Sequence, residues 1–480
     1  MEMKMKTVAV VGAGFCGAMM AVHLLRQPPS VPLQIVLVNR SGKTARGVAY
    51  GTSSTTHVLN VPAGRMSAFG GEENGFHEFV RRLDPAFEAG SFVPRSLYGD
   101  YLDHLLTDAV HCAPAGCSLR TVVGNIVRIV PANGGDGGDG GNGARLTMSD
   151  GAVIDADRVV LCVGNYAPAD PPIGADQRSF YMSSRYIRDP WSPGILSHVV
   201  PDRPALVIGT GLTMLDIVLE LRNRGHRAPI YAVSRRGLLP QAHRGLDNQP
   251  SHDDSLVDAM LLQPGARHYM RVVSRSAKQA AAAGRDWRDV IGSLRARTPQ
   301  LWHALPLAER QRFLRRLRSY WEVHRHRCAP QLGARMQSEL ASGALRVLAG
   351  SVTGYRQHDD HVTVTLKLRA QAAPLCVEVA SVINCTGPAA NVDQIDEPLL
   401  NGLRADGLLV PDVLGLGFEI DDEYRLIARD GEASRWLYYV GPFLKGRDWE
   451  ATAVPELRRH VATLIDVLHR SDVSPKELRV

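Results

Sequence analysis

The chain has 480 residues, 45% of them hydrophobic and 22% charged, with a formal net charge of +6. That length exceeds one ordinary core, and the balance is that of a folded globular protein. No run of 18 apolar residues is present, which excludes a membrane-spanning helix, and the short apolar start lacks the cleavage pattern of a signal peptide. Seven cysteines, an odd number, read as reduced thiols in a cytoplasmic protein rather than as a disulfide framework.

The first element is a β-branched strand, residues 8–11, running directly into "GAGFCG". Gly12, Gly14 and Gly17 complete the G-x-G-x-x-G spacing, a proline-free helical stretch follows to Arg26, and a second strand spans 33–38. In this context Gly12 makes the tight turn, Gly14 admits a pyrophosphate to the backbone, and Gly17 lets helix and strand pack closely. The helix N-terminus then offers free N–H groups to phosphate. A carboxylate normally ends the second strand and accepts from a ribose hydroxyl; here the residue is Asn39, whose amide oxygen is expected to accept that bond without the strength a charge adds.

The glycine-rich stretch 132–144 reads as a flexible hairpin connection without function. Two later apolar runs, "DRVVLCVGN" ending at Gly164 and "ASVINCTGP" ending at Gly387, read as buried parallel strands that meet a cofactor edge. Between them lies a second βαβ unit: strand 205–208, Gly209, Gly211 and Thr213 in the turn, a helix through Arg222, and strand "IYAVSRR". Met214 stands at the third glycine position. Ser234, Arg235 and Arg236 replace the acid, and arginine there suits a 2′-phosphate, favouring NADPH over NADH without excluding the latter. The fold expected is α/β, with two Rossmann-like dinucleotide-binding domains and the second inserted into the first. The boundaries expected are 1–168 and 381–480 for the first domain and 169–380 for the second, which carries a basic helical segment over about 250–345.

The excess charge is local. Residues 265–335 hold 16 Lys or Arg against four acids, a field that can steer an anionic ligand. No groove-reading motif or stacking platform accompanies it, so nucleic acid is not the expected partner. Leu314, Leu317 and Trp321 share helical spacing, which predicts one packed helix with basic residues outward. His324 and His326, two residues apart, do not face one another on a helix, so no metal site is expected. Arg325 and Arg327 are the candidates for holding an anionic substrate or a nucleotide phosphate. Cys112 and Cys117, a C-x4-C pair, raise the alternative of a redox-active disulfide, but the intervening proline opposes the helix such a pair needs.

From "RGVAYGTSSTTHVLNVPAGRMSAF" onward, through "FVPRSLYGDYL", "SRRGLLP", "YWEVHRHRCAP" and "YYVGPFLKGRDWEATAVPELR", the chain resembles bacterial FAD/NAD(P)-binding proteins related to class B flavin monooxygenases. The wider group includes urate hydroxylases and amino-acid N-monooxygenases. The resemblance implies FAD in the first domain and NADPH in the second. It sets Asn60, Val61, Pro62 and Met66 beside the flavin ring, with Asn60 and Arg65 as catalytic candidates. It brings the segment from Gly441 over the ring's pyrimidine edge, with Thr452 opening a helix. The expected activity is oxygen transfer, through a C4a-(hydro)peroxyflavin, to a small nitrogen-containing, anionic substrate such as urate or an amino acid. An NAD(P)H:acceptor oxidoreductase and a non-catalytic flavoprotein sensor are the alternatives. The partners expected are that substrate and molecular oxygen, with no membrane and with a homo-oligomer left open.

Overall fold

A computed structural model describes residues 5–29, 31–132, 143–245 and 253–472. The chain forms two compact units. The first comprises Met1–Thr55, Pro62–Asn165 and Ala390–Val480, and the second Thr56–Val61 and Tyr166–Ala389.

The first unit is built on a six-stranded sheet in the order Arg425–Ile427, Ala433–Tyr439, Arg158–Leu161, Lys6–Val11, Leu33–Asn39, Cys117–Val123. All neighbours are parallel except the first pair. Helix Phe15–Arg26 follows the central strand and buries ten of its twelve residues, so it reads as apolar on every side rather than on one stripe. It packs on helices Arg95–His111 and Val454–Asp472. A smaller antiparallel sheet joins Ile126–Pro131, Ala144–Met148 and Val153–Ala156. The first two of these strands pair across the glycine-rich stretch, whose residues 133–142 lie outside the described residues.

The second unit holds a seven-stranded sheet in the order Leu375–Val379, Val362–Leu368, Leu345–Gln357, Ile230–Ser234, Ala205–Ile208, Ser381–Asn384, Tyr186–Ile187. Its last five strands are parallel and its first two antiparallel. Seven helices, from Asp254–Leu261 to Pro330–Ala341, form the helical segment among the described residues.

Two expectations need correction here. Strand Ser381–Asn384 does not return the chain to the first domain. It pairs with Ala205–Ile208 in the second sheet, and the return comes only at Ala390. The single basic helix is two, Leu307–Arg316 and Arg318–Arg325, broken at Leu317, and neither buries a residue.

Candidate dinucleotide sites and their surroundings

The two glycine turns repeat one hydrogen-bonding plan. Gly12 N donates to Val38 O at 2.9 Å and Gly209 N to Val233 O at 2.8 Å, tying each turn to its second strand. Cys162 N donates to Val11 O and Cys385 N to Ile208 O, both at 2.8 Å, tying each turn to the next parallel strand. Gly12 and Gly209 have φ of 107° and 110°, a region open to glycine and costly to other residues. Gly164 and Gly387 close the two equivalent strand ends, with φ of 72° and 91°.

Each turn delivers an uncapped helix. Gly14 precedes Phe15–Arg26 and Gly211 precedes Leu212–Asn223; neither N-terminus has a side-chain cap or an acid in its first turn. Free N–H groups and an uncompensated dipole make both ends receptive to phosphate. In the first unit a β-carbon on Gly14 would lie 3.7 Å from the Gly47 Cα, so two glycine backbones face each other across the approach. Gly47 is held by a turn in which buried Ala45 has φ of 62°, while Arg46 pairs with Asp100 at 2.6 Å. This wall was missed in the sequence, although "ARG" supplies its signal. In the second unit a β-carbon on Gly211 would meet nothing within 4 Å. Met214, in place of a third glycine, is fully buried.

Asn39 sits as expected at the end of its strand, but its amide works the other way round. Its Oδ1 accepts from Ser41 N and Ser41 Oγ, both at 3.4 Å. A backbone N–H can only donate, so the oxygen must face Ser41. The Nδ2 is then left buried without a partner. The residue therefore offers a ribose a donor, not the acceptor anticipated. An orphaned buried donor, a backbone cradle and a bare helix terminus suit the diphosphate and ribose of a dinucleotide.

At the second site the three candidate residues separate by role. Thr210 Oγ1 donates to Leu238 O at 2.6 Å, so the Ser234 hydroxyl donates to Thr210 at 2.8 Å and accepts from Gly237 N at 3.0 Å. Ser234 thus braces the glycine turn. Arg236 donates to Arg316 O at 2.9 Å and lies 4.9 Å over the Tyr320 ring, anchoring the basic helices. Arg235 is exposed, and it is the arginine with its charge turned to solvent.

The stretch expected beside the flavin crosses between units. Asn60 and Val61 pack with the second unit, whereas Pro62, Arg65 and Met66 belong to the first. Within the second unit, His243 Nε2 donates to the Asn60 carbonyl at 3.1 Å. His243 N donates to Cys328 O and Cys328 N to Gln241 O, both at 2.9 Å. Segment 241–243 therefore links Asn60 to the turn that carries Arg327, which is 8% exposed; Arg325 ends the preceding helix. His243 was not singled out in the sequence, since no spacing marks it. Within the first unit, Ala63 N and Gly64 N donate to Ser91 O and Ala89 O at 2.9 and 2.8 Å, and Arg458 Nη1 donates to Ser67 O at 2.8 Å. Met66 is buried.

Gly441 has φ of 152° and begins the turn Pro442–Leu444. Thr452 does not open a helix. It lies in a turn before Val454–Asp472, and Ala453 supplies the first accepting carbonyl, to Leu457 N at 2.9 Å. All seven cysteines are free. Burial pushes the Cys16 thiol up to about 12 and raises Cys162. Among the described residues no His, Cys, Asp or Glu cluster could hold a metal, and no helix is long and apolar enough to cross a membrane.

Residues 9–166 match the family described as FAD-NAD(P)-binding. A curated L-aspartate N-monooxygenase (nitrosuccinate-forming) of Streptomyces cremeus is 26% identical over 291 residues, covering 52% of this chain and 41% of that protein, so the chain spans about two fifths of that relative. The structure of the ornithine N-hydroxylase of Kutzneria sp. 744 with reduced FAD, NADP+ and L-ornithine aligns over 98% of this chain and 100% of its own. The TM-score is 0.60 at 16% identity. The bacillithiol disulfide reductase of Staphylococcus aureus also aligns, over 98% and 100%, at TM-score 0.55 and 11% identity. The chain thus carries a FAD-NAD(P)-binding amino-terminal module, within a fold common to an amino-acid N-hydroxylase and a disulfide reductase.

Proposed function

We propose that the protein is a flavin-dependent NAD(P)H monooxygenase that oxygenates the amino nitrogen of a small amino acid. FAD would occupy the first module, at Gly12, Gly14, Gly17 and Asn39, and NADPH the second, at Gly209, Gly211, Thr213 and Arg235. Flavin held there would supply the redox chemistry, that of hydride acceptance and oxygen activation. The protein's own part is to bind phosphate at the two bare helix ends, to hold Asn60 and Met66 in fixed loops, and to keep water from the reacting nitrogen. Arg327 and Arg325 are the proposed anchors for the substrate carboxylate, on segments tied through residues 241–243 to Asn60. The similarity to an L-aspartate N-monooxygenase makes an acidic amino acid the first substrate to try.

The observation that carries this reading over a redox-active Cys112–Cys117 disulfide is the position of that pair. Cys117 starts its strand level with Leu33 and Lys6, so it lies at the end of the sheet opposite Gly12, about 20 Å away along the strands. A dithiol there cannot exchange electrons with a flavin bound at the glycine turn. Seven free thiols suit a reducing, cytoplasmic setting. The deciding experiment is anaerobic reduction by NADPH followed by admission of air, with L-aspartate, L-ornithine or urate present. NADPH consumed one-to-one with N-oxygenated product is the expected result. Hydrogen peroxide as the sole product with every substrate would overturn it.

A further inference from the structure

The two modules end their second strands alike. Asn39-Arg40-Ser41-Gly42 and Ser234-Arg235-Arg236-Gly237 each place a neutral polar residue last in the strand, an exposed arginine next, and a glycine in the left-handed region, with φ of 71° and 61°. Neither stretch contains an acid, and exposed Lys43 follows the first. The carboxylate usual at this place does two things: it accepts from the 2′-hydroxyl, and it repels a 2′-phosphate. Asn39 does neither. Its oxygen is held by Ser41, and the buried Nδ2 that remains is a donor. Arg40 is paired with Glu397 at 3.0 Å, but its side chain is 53% exposed. Surface pairs of this kind hold by at most about 1 kcal/mol, so a phosphate dianion can recruit the guanidinium.

We propose that the amino-terminal module also binds 2′-phosphorylated adenosine nucleotides, in competition with FAD. Asn39 donates to the 2′-phosphate or its ester oxygen, and Arg40 neutralises the dianion. This rests on the reading that FAD belongs in the first module and NADPH in the second. The competition couples the two cofactors: a chain short of FAD takes NADPH at both glycine turns, and flavin loading then slows as NADPH rises.

The test is equilibrium dialysis of the flavin-free, full-length chain with 2′,5′-ADP as probe. Wild type is expected to bind two equivalents, and Arg235→Ala one. In Asn39→Asp the carboxylate still accepts from Ser41 but faces the phosphate with like charge, and the affinity of the first-module equivalent falls at least about tenfold. Arg40→Ala, a surface change, weakens the same equivalent, and circular dichroism checks that every variant folds. 5′-ADP, without the 2′-phosphate, binds the first module more weakly than 2′,5′-ADP. A single equivalent in wild type, lost in Arg235→Ala, overturns the proposal. So do two equivalents that neither Asn39→Asp nor Arg40→Ala affects. Added FAD should displace one equivalent; if it displaces none while two remain bound, the flavin assignment fails and the second phosphate site stands.

Discussion

A β-carbon on Gly12 would lie 2.3 Å from the carbonyl oxygen of Cys162. The contact locks the turn of the first module against the end of the neighbouring strand, and the second module repeats it between Gly209 and Cys385 at the same 2.3 Å. Because that oxygen belongs to the backbone of a buried parallel strand, it cannot step aside as a flexible side chain would. Any residue but glycine must therefore open the turn, which is the one proposed to receive the diphosphate.

The paired contacts separate the two cofactors experimentally. Gly12→Ala should purify without flavin colour and resist reconstitution. Gly209→Ala should stay yellow while its reduction by NADPH slows by about five- to 150-fold, the consequence of roughly 1–3 kcal/mol of backbone strain at that turn. Flavin absorbance and stopped-flow reduction read the two outcomes. A Gly12→Ala protein that holds FAD as tightly as wild type would falsify the placement of the flavin.

Cys112→Ser and Cys117→Ser, singly or together, should leave NADPH turnover within about twofold of wild type, since a site about 20 Å along the strands lies beyond thiol–flavin contact. Turnover assays under air give the answer directly. Loss of most activity in either variant would favour the disulfide-reductase alternative instead.

Nicotinamide preference should rest on one arginine of the pair. Arg235→Ala is expected to raise KM for NADPH about tenfold and leave NADH unchanged, the size of one lost charge-assisted contact. Arg236→Ala removes the bond to Arg316 O and the stacking on Tyr320, so its effect should appear in thermal unfolding and equally for both nucleotides. Equal KM shifts for NADPH and NADH in Arg235→Ala would remove its role at the 2′-phosphate.

The modules could be read in the sequence because their geometry admits few residue types: a positive φ pressed against a carbonyl demands glycine, and β-branched runs before it mark buried strands. What misled was symmetric in local chemistry. The run "SVIN" is buried on both faces and would suit either sheet; its partner, Ala205–Ile208, is fixed by tertiary pairing. Leu317 interrupts a helix without glycine or proline, so no local breaker announces it. Thr452 resembles a cap, yet Ala453 occupies that place. An asparagine amide carries a donor and an acceptor alike, and only the Ser41 backbone decides which one remains for a ligand.

Acid sensitivity should trace to His460. Buried Tyr424, with φ of 62°, shares a hydrogen bond between its hydroxyl and His460 Nδ1 at 2.8 Å. Burial holds the imidazole down at about 4 against the ordinary 6.5; Arg447 and Arg459 add to this, while Asp448 and Glu456 oppose it. The depression concerns a base, so the unfolded chain takes up a proton that the folded one refuses. Stability is full above about 6.5 and falls as pH drops towards about 4, by up to about 3 kcal/mol. Thermal unfolding from pH 8 to pH 4.5 should show this slope in wild type. His460→Gln offers Tyr424 both a donor and an acceptor and has no proton to gain, so it should start lower, by about 1 kcal/mol of poorer packing and hydrogen bonding, and then decline less steeply. Parallel slopes in the two proteins would assign the acid sensitivity to the carboxylates around the ring instead.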